Sequence, residues 1–211
     1  MNTSHDVIAR SHRLDGTPEQ LTAYYSSWAP TYERDVTNVH YAGPRIMAEM
    51  FSRLKRQSPA SEVTALDAGC GTGLVGRQIA GDRTITLDGL DLSHEMVTEA
   101  ARTGAYRLLT SGVDLNQGLT EIAAHTYDIT VCCGVFTPGH VHPVAVEGLL
   151  RVTRPGGHVL LSTRKRYLSE TDFTERIESL CAEGRTAVVE HHADRPYTTD
   201  EPADYWVLAV P

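Results

Sequence analysis

The residues of this 211-residue chain whose spacing could do chemistry begin with Leu66-Asp67-Ala68-Gly69-Cys70-Gly71-Thr72-Gly73. An apolar stretch, Val63 to Leu66, delivers an acid and three alternating glycines to a turn, and a helix-like segment follows. Glycine has no Cβ, so it reaches φ > 0 and lets backbone N–H groups approach a ligand closely. Such a turn between strand and helix suits a nucleoside cofactor. The dinucleotide pattern Gly-x-Gly-x-x-Gly is not met, because its third glycine would fall on Leu74. A pyrophosphate prefers an uncompensated helix N-terminus, and Asp67 would repel it. An acid here suits a ligand carrying an ammonium or sulfonium cation instead. A second acid, Asp91, lies eighteen residues beyond Gly73 at the end of the apolar stretch from Ile85 to Leu90. That distance accommodates a helix and a second parallel strand, whose carboxyl end would face ribose hydroxyls. Asp88 competes for the role, but Asp91 is nearer the strand end and precedes Ser93, a plausible helix N-cap.

The acid-x-Gly-x-Gly-x-Gly run with its following acid resembles the first motif of the class I S-adenosylmethionine-dependent methyltransferases. The resemblance implies S-adenosyl-L-methionine as cofactor and S-adenosyl-L-homocysteine as product, bound by Asp67, Gly69, Cys70, Gly71, Gly73 and Asp91. It further implies that Leu92 and Met96 sandwich the adenine, although a methionine on a helix is ordinarily core filler. Asp114, followed by Leu115, would accept the adenine amino group, with simple turn chemistry as the alternative. Backbone at Cys133 would pass beneath the methionine moiety. Three further runs, Tyr25-Ser26-Ser27-Trp28-Ala29-Pro30-Thr31-Tyr32-Glu33, Phe136-Thr137-Pro138-Gly139-His140-Val141 and Leu150-Arg151-Val152-Thr153-Arg154-Pro155-Gly156-Gly157, are similar to the Williams-Beuren-region methyltransferase-like proteins and their bacterial relatives. Many of these have no assigned substrate. In that family the segment before the core closes over the cofactor, so Trp28 and Tyr32 are expected as a lid whose aromatic faces attract the sulfonium. Ordinary helix packing would produce the same spacing.

Methyl transfer is an in-line displacement at carbon with an activated leaving group, so the protein must chiefly orient the acceptor and exclude water. A hydroxyl or protonated amine acceptor also needs a base, for which histidine is well tuned. His140 and His142, beyond the fourth strand, are the candidate catalytic residues, and their i, i+2 spacing shares a face if the segment is extended. A loop-holding role for His140 is the alternative, and a zinc site lacks a third ligand in register. Tyr24, Phe136, Arg164 and Tyr167 are the candidate acceptor-binding residues, with Arg166 and Glu175 weaker ones. His191-His192-Ala193-Asp194 resembles a metal cluster only superficially, since adjacent strand residues face opposite ways. No metal is expected.

The elements that must position these residues follow from periodicity. Strands are expected at 63–67, 85–91, 106–110, 128–134, 157–163, 186–192 and 204–210, with helices near 74–81, 93–103, 143–153 and 170–183. This is an α/β pattern, a Rossmann-like seven-stranded, mostly parallel sheet with helices on both faces. The resemblance adds an antiparallel hairpin at one edge. Pro155-Gly156-Gly157 is expected to stop a helix at Arg154. Residues 1 to about 17 read as frayed, Pro18 opens a helix, and Pro44 to Arg56 carries Ile46, Met47, Met50, Phe51 and Leu54 at helical spacing. The expected division is an N-terminal helical lid and substrate segment over 1–58 and a cofactor-binding core over 59–211.

A formal charge of −8 argues against a polyanionic partner. The one basic run, Arg164-Lys165-Arg166, suits a solvated strand end or an anionic substrate. Four cysteines without Cys-x-x-Cys spacing suggest a reduced, cytoplasmic protein. No apolar run reaches the roughly eighteen residues of a membrane span, and no signal peptide is evident. The sequence therefore predicts a methyltransferase acting at O, N or C of a small aromatic or heterocyclic metabolite, without nucleic-acid or membrane partners and with a homo-oligomer left open. A protein or RNA methyltransferase and a non-catalytic cofactor-binding subunit are the alternatives.

Overall fold

The computed structural model describes residues 3–58 and 60–211. In chain order its first half comprises α1 (Ser4–Ser11), α2 (Pro18–Trp28), α3 (Tyr32–Asn38), α4 (Gly43–Gln57), β1 (Val63–Ala68), α5 (Leu74–Ile79), β2 (Ile85–Asp91), α6 (His94–Ala101) and β3 (Leu108–Ser111). Then come β4 (Tyr127–Phe136), α7 (Ala145–Val152), β5 (Thr153–Arg164), α8 (Lys165–Glu170), α9 (Phe173–Ala182), β6 (Ala187–Arg195) and β7 (Ala203–Ala209). The strands form one seven-stranded sheet in the order β3-β2-β1-β4-β5-β7-β6. Neighbours from β3 through β5 are parallel, and β7 runs antiparallel between β5 and β6.

Central strands that are apolar on both sides require cover on both faces. Ala65 of β1 and Val207 of β7 join Met47 and Phe51 of α4, whereas Leu66 and Leu208 join Leu149 of α7 and Ile177 of α9. Helix α4, the last of the N-terminal helices, is thus one layer of the sheet's own core. On the opposite face Phe173 packs edge-on against Phe136, Tyr167 and Trp206, with ring centroids 5.4, 5.9 and 5.7 Å away.

Three local expectations differ from the structure. The described part of the segment thought frayed contains α1, whose capping box pairs Thr3 and Asp6 reciprocally; Met1 and Asn2 lie outside the described residues. Tertiary bonds from Ser4 to Asp35 and from Tyr24 to the Val7 carbonyl hold this helix, and its few apolar residues could not have announced it. The helix expected to stop at Arg154 ends at Val152, and Pro155 and Gly156 lie in a register shift between β4 and β5, where a missing N–H does no harm. The expected helix from 170 to 183 is α9, which begins at Phe173, and the short α8 before it was not anticipated.

Phe136 and Tyr167 are core residues and not acceptor contacts, because their side chains are 0% and 1% exposed within the aromatic cluster. Tyr167 satisfies its hydroxyl by donating to the Val141 carbonyl at 3.1 Å. Phe136→Ala should cost about 3–5 kcal/mol through cavity formation, measured as a lowered urea midpoint with an unchanged m-value.

Candidate active site

The strand order reverses between β1 and β4, and ligands of open α/β sheets bind beyond the carboxyl ends at such a switch. There the Gly69 and Cys70 N–H groups donate to the Leu90 carbonyl at 2.8 and 2.9 Å, lacing the glycine turn to the end of β2. Gly69 has φ +77°, and a Cβ at this position would stand 2.4 Å from Val135 Cγ2. A Cβ on Gly71, φ +54°, would meet no atom within 4 Å and would project into a cavity that Gly71 lines. Gly73 sits at the N-cap of α5 and off the cavity wall, while the Cys70 thiol packs with Val97 and Ala100.

Two acids meet this turn in different ways. Asp91 accepts backbone N–H bonds from Gly71 and Ser93, each at 2.9 Å, and lines the cavity. Burial raises its pKa and the two N–H bonds oppose the rise. A carboxylate has about four lone-pair sites, so capacity remains for two hydroxyls. Asp67 is 1% exposed and accepts from the Tyr106 hydroxyl at 2.7 Å. Its Oδ1 has no partner among the described residues, nor has the buried Thr72 Oγ1. Both residues line a recess that adjoins the main cavity at Gly69, Gly71, Tyr32 and Cys133. Burial pushes the Asp67 carboxyl up to about 7. Asp88, the alternative to Asp91, is structural: it pairs with Arg107 and accepts from Tyr127 at 3.1 Å.

The main cavity holds about 710 Å³ of empty space, its mouth included. Leu92, Met96, Asp114, Leu115, Cys133 and Tyr32 all line it. Asp114 also caps a short turn, accepting from the Asn116 N–H at 2.9 Å. A second cavity adjoins the first at Tyr25, Tyr32 and Gly134, and Trp28 and Arg164 belong to this one. Trp28 is nearly buried and donates its Nε1–H to Asp35 at 3.0 Å, which turns it away from the main cavity. Tyr24 is a brace between α2 and α1 and lines neither cavity. Arg164 is mostly buried and paired with Glu201, so it is no open anion site. His142 is exposed, lines neither cavity, and uses its backbone N–H on Asn116 Oδ1; the loop after Thr137 turns instead of staying extended, so the two histidines part company. His191 stacks on Trp206 and bonds Asp204. Among the described residues no cluster could hold a metal.

His140 faces the main cavity, and its tautomer follows from its partners. Nδ1 lies 2.9 Å from the Pro138 carbonyl, which can only accept, so Nδ1 carries the proton. Nε2 is then a bare acceptor, and the Tyr25 hydroxyl donates to it at 2.6 Å. Burial foremost, with Arg164 adding to it, pushes the imidazole pKa down to about 4, so the ring is neutral at physiological pH. Tyr25, in the same run as Trp28, is the aromatic residue that both reaches this histidine and separates the two cavities. Leu21, Val113, Val135 and Val141 complete the main wall and carried no distinguishing sequence signal.

Known proteins resemble this chain in sequence and in fold. A methyltransferase-domain family model matches residues 65–157. Human methyltransferase-like protein 27 is 32% identical over 176 residues, covering 82% of this chain and 70% of the human protein. A ubiquinone biosynthesis O-methyltransferase from Vibrio cholerae is 31% identical over 131 residues, 56% of this chain and 51% of that enzyme. The fold is also that of magnesium protoporphyrin IX methyltransferase from Synechocystis with bound S-adenosylhomocysteine, at TM-score 0.66 and 15% identity over 92% of this chain and 99% of that one. The [4+2]-cyclase SpnF matches at TM-score 0.67 and 16% identity over 94% and 97% of the two chains. The chain belongs to the class I S-adenosylmethionine-dependent methyltransferases, and over most of its length it is similar to methyltransferase-like protein 27. It is an S-adenosylmethionine-dependent methyltransferase.

The unpartnered Asp67 and Thr72 oxygens fit that cofactor, since an ammonium in the recess would satisfy them. Its cation would favour ionised Asp67 and lower a pKa that stands near 7 without it. S-adenosylhomocysteine binding at pH 6 should therefore release a proton, seen in calorimetry as a dependence on buffer ionisation heat. Affinity should rise with pH up to about 7. Asp67→Asn should remove both effects.

Proposed function

We propose that this enzyme methylates a small-molecule acceptor held in the second cavity, and the observation that carries this reading is the meeting of the two cavities at Tyr25, Tyr32 and Gly134. A polymer substrate would call for an open groove with basic flanks, whereas the chain carries a charge of −8. The acceptor cavity is roofed by α1, α2 and α3, so an acceptor would be shielded from water, as displacement chemistry favours.

In this reading Asp91 holds the ribose hydroxyls with its remaining lone pairs, while Leu92 and Met96 pack on the adenine and Asp114 accepts from its amino group. Asp67 and Thr72 hold the ammonium end, with the backbone at Gly69 and Gly71 close against the ligand. The bound cofactor supplies a methyl group on an activated sulfur leaving group. Tyr32, which reaches both cavities and the recess, presents its ring where that positive charge would lie. His140 receives the acceptor's proton through Tyr25.

Incubation with methyl-labelled S-adenosylmethionine and fractionated cell extract should place label in the small-molecule fraction; label confined to protein or RNA would overturn the reading, and transfer to none would point to a non-catalytic role. Asp91→Ala should weaken S-adenosylhomocysteine binding about ten- to a hundredfold, the value of hydrogen bonds to a charged group. His140→Gln should lower turnover by about 10²–10⁴ with cofactor affinity little changed. Because a base must be unprotonated to act, kcat at saturating cofactor should persist below pH 6 and fall only as pH drops towards about 4.

A further inference from the structure

The second cavity holds about 420 Å³ of empty space, its open mouth included. Rings of Tyr25, Trp28, Tyr32, Tyr41 and Tyr197 line it, which suits one flat ring. Its boundary with the main cavity is tightly made at Gly134, φ +78°, where a Cβ would stand 2.5 Å from the Tyr41 hydroxyl oxygen and 3.0 Å from that of Tyr197.

Charge and hydrogen bonding narrow the ligand further. Arg164 directs Nε and Nη2 to Glu201 and Nη1 to His12 Nε2, so its cation is already matched. An arginine can only donate, which makes His12 Nε2 an acceptor, and burial pushes this imidazole down to about 3. No unpaired charge therefore faces the cavity from its described wall. Thr137, which also lines it, is 3% exposed and its Oγ1 has no partner among the described residues. Leaving such a group unmatched costs about 1–3 kcal/mol, and a polar substituent would satisfy it. At the junction the Tyr25 hydroxyl spends its proton on His140 and keeps oxygen lone pairs able to accept from an incoming hydroxyl.

We propose that the second cavity binds an uncharged, single-ring hydroxyaromatic acceptor, with Thr137 bonding one ring substituent and a ring hydroxyl at Tyr25 as the methylated group. The proposal deepens the reading of this cavity as the acceptor site and rests on it. The hydroxyl oxygen's lone pair forms the new O–CH₃ bond as the C–S bond breaks with its electron pair remaining on sulfur. The hydroxyl proton passes to Tyr25 Oη while Tyr25's own proton passes to His140 Nε2. The positive charge lost from sulfur reappears on the imidazolium, so the step balances.

The test is a fluorescence titration of the full chain saturated with S-adenosylhomocysteine, whose binding is first measured by calorimetry. Trp28 and Trp206 are the two tryptophans, and Trp28 lines the cavity, so a bound ring should quench its emission and Trp28→Phe should abolish the signal. Catechol should bind at least about tenfold more tightly than 4-hydroxybenzoate or tyramine. Thr137→Val should weaken catechol about tenfold and Thr137→Ser should restore it. With S-adenosylmethionine, Tyr25→Phe should weaken catechol binding about tenfold through the lost hydrogen bond and, at saturating catechol, still lower formation of the methyl ether about a hundredfold. Absence of quenching with S-adenosylhomocysteine bound, equal binding by Thr137→Val, or tighter binding of 4-hydroxybenzoate would overturn the proposal and leave the cofactor assignment standing. Failure to bind S-adenosylhomocysteine would overturn the cofactor assignment instead.

Discussion

Burying carboxylates at the ends of β1 and β2 is the constraint on which the site depends. A desolvated acid is costly unless donors converge on it, and Asp91 obtains them from the Gly71 turn and from Ser93 at the start of α6. The same two bonds fix the glycine turn against the second strand and set where α6 begins, since Ser93 also caps that helix through the Met96 N–H. Asp67 accepts from Tyr106, and its Oδ1 has no partner among the described residues and lies beside the recess. On the proposed reading, ligand affinity comes from this incomplete set of hydrogen bonds.

The N-terminal helices solve a second problem, that of dividing the two cavities without sealing either. Asp35 gathers bonds from Trp28, Thr31 and Ser4, drawing α1, α2 and the start of α3 together. Ser26 on α2 reaches Glu95 on α6. The loop carrying His140 is held close as well, since a Cβ on Gly139 would come within 2.4 Å of the Leu14 carbonyl oxygen. Tyr25 can therefore meet His140 only because two segments more than a hundred residues apart are each anchored independently.

The strands were legible because a short apolar run is a local property, and β1 and β7, buried on both sides, carry one. Their ends were less so: β5 extends back through Pro155 and Gly156 by means of a bulge that no periodicity announces. The main cavity's wall was legible at Gly69, Gly71 and Asp91, where backbone geometry demands particular residue types. Side chains chosen by type alone fared differently. Phe136 and Tyr167 proved to be core and Tyr24 a brace, because an aromatic residue is equally suited to packing and to binding.

The sequence by itself determined the sheet, the glycine turn, the acid that ends β2 and the methyl donor, because these rest on backbone conformation and on short spacings along the chain. Tertiary structure alone decided that His140 and not His142 faces the cavity, that Tyr25 and not Trp28 stands at the junction, and that Arg164 is already neutralised by Glu201. Those outcomes depend on which groups distant in sequence complete one another's hydrogen bonds away from water, and local periodicity carries no record of that pairing.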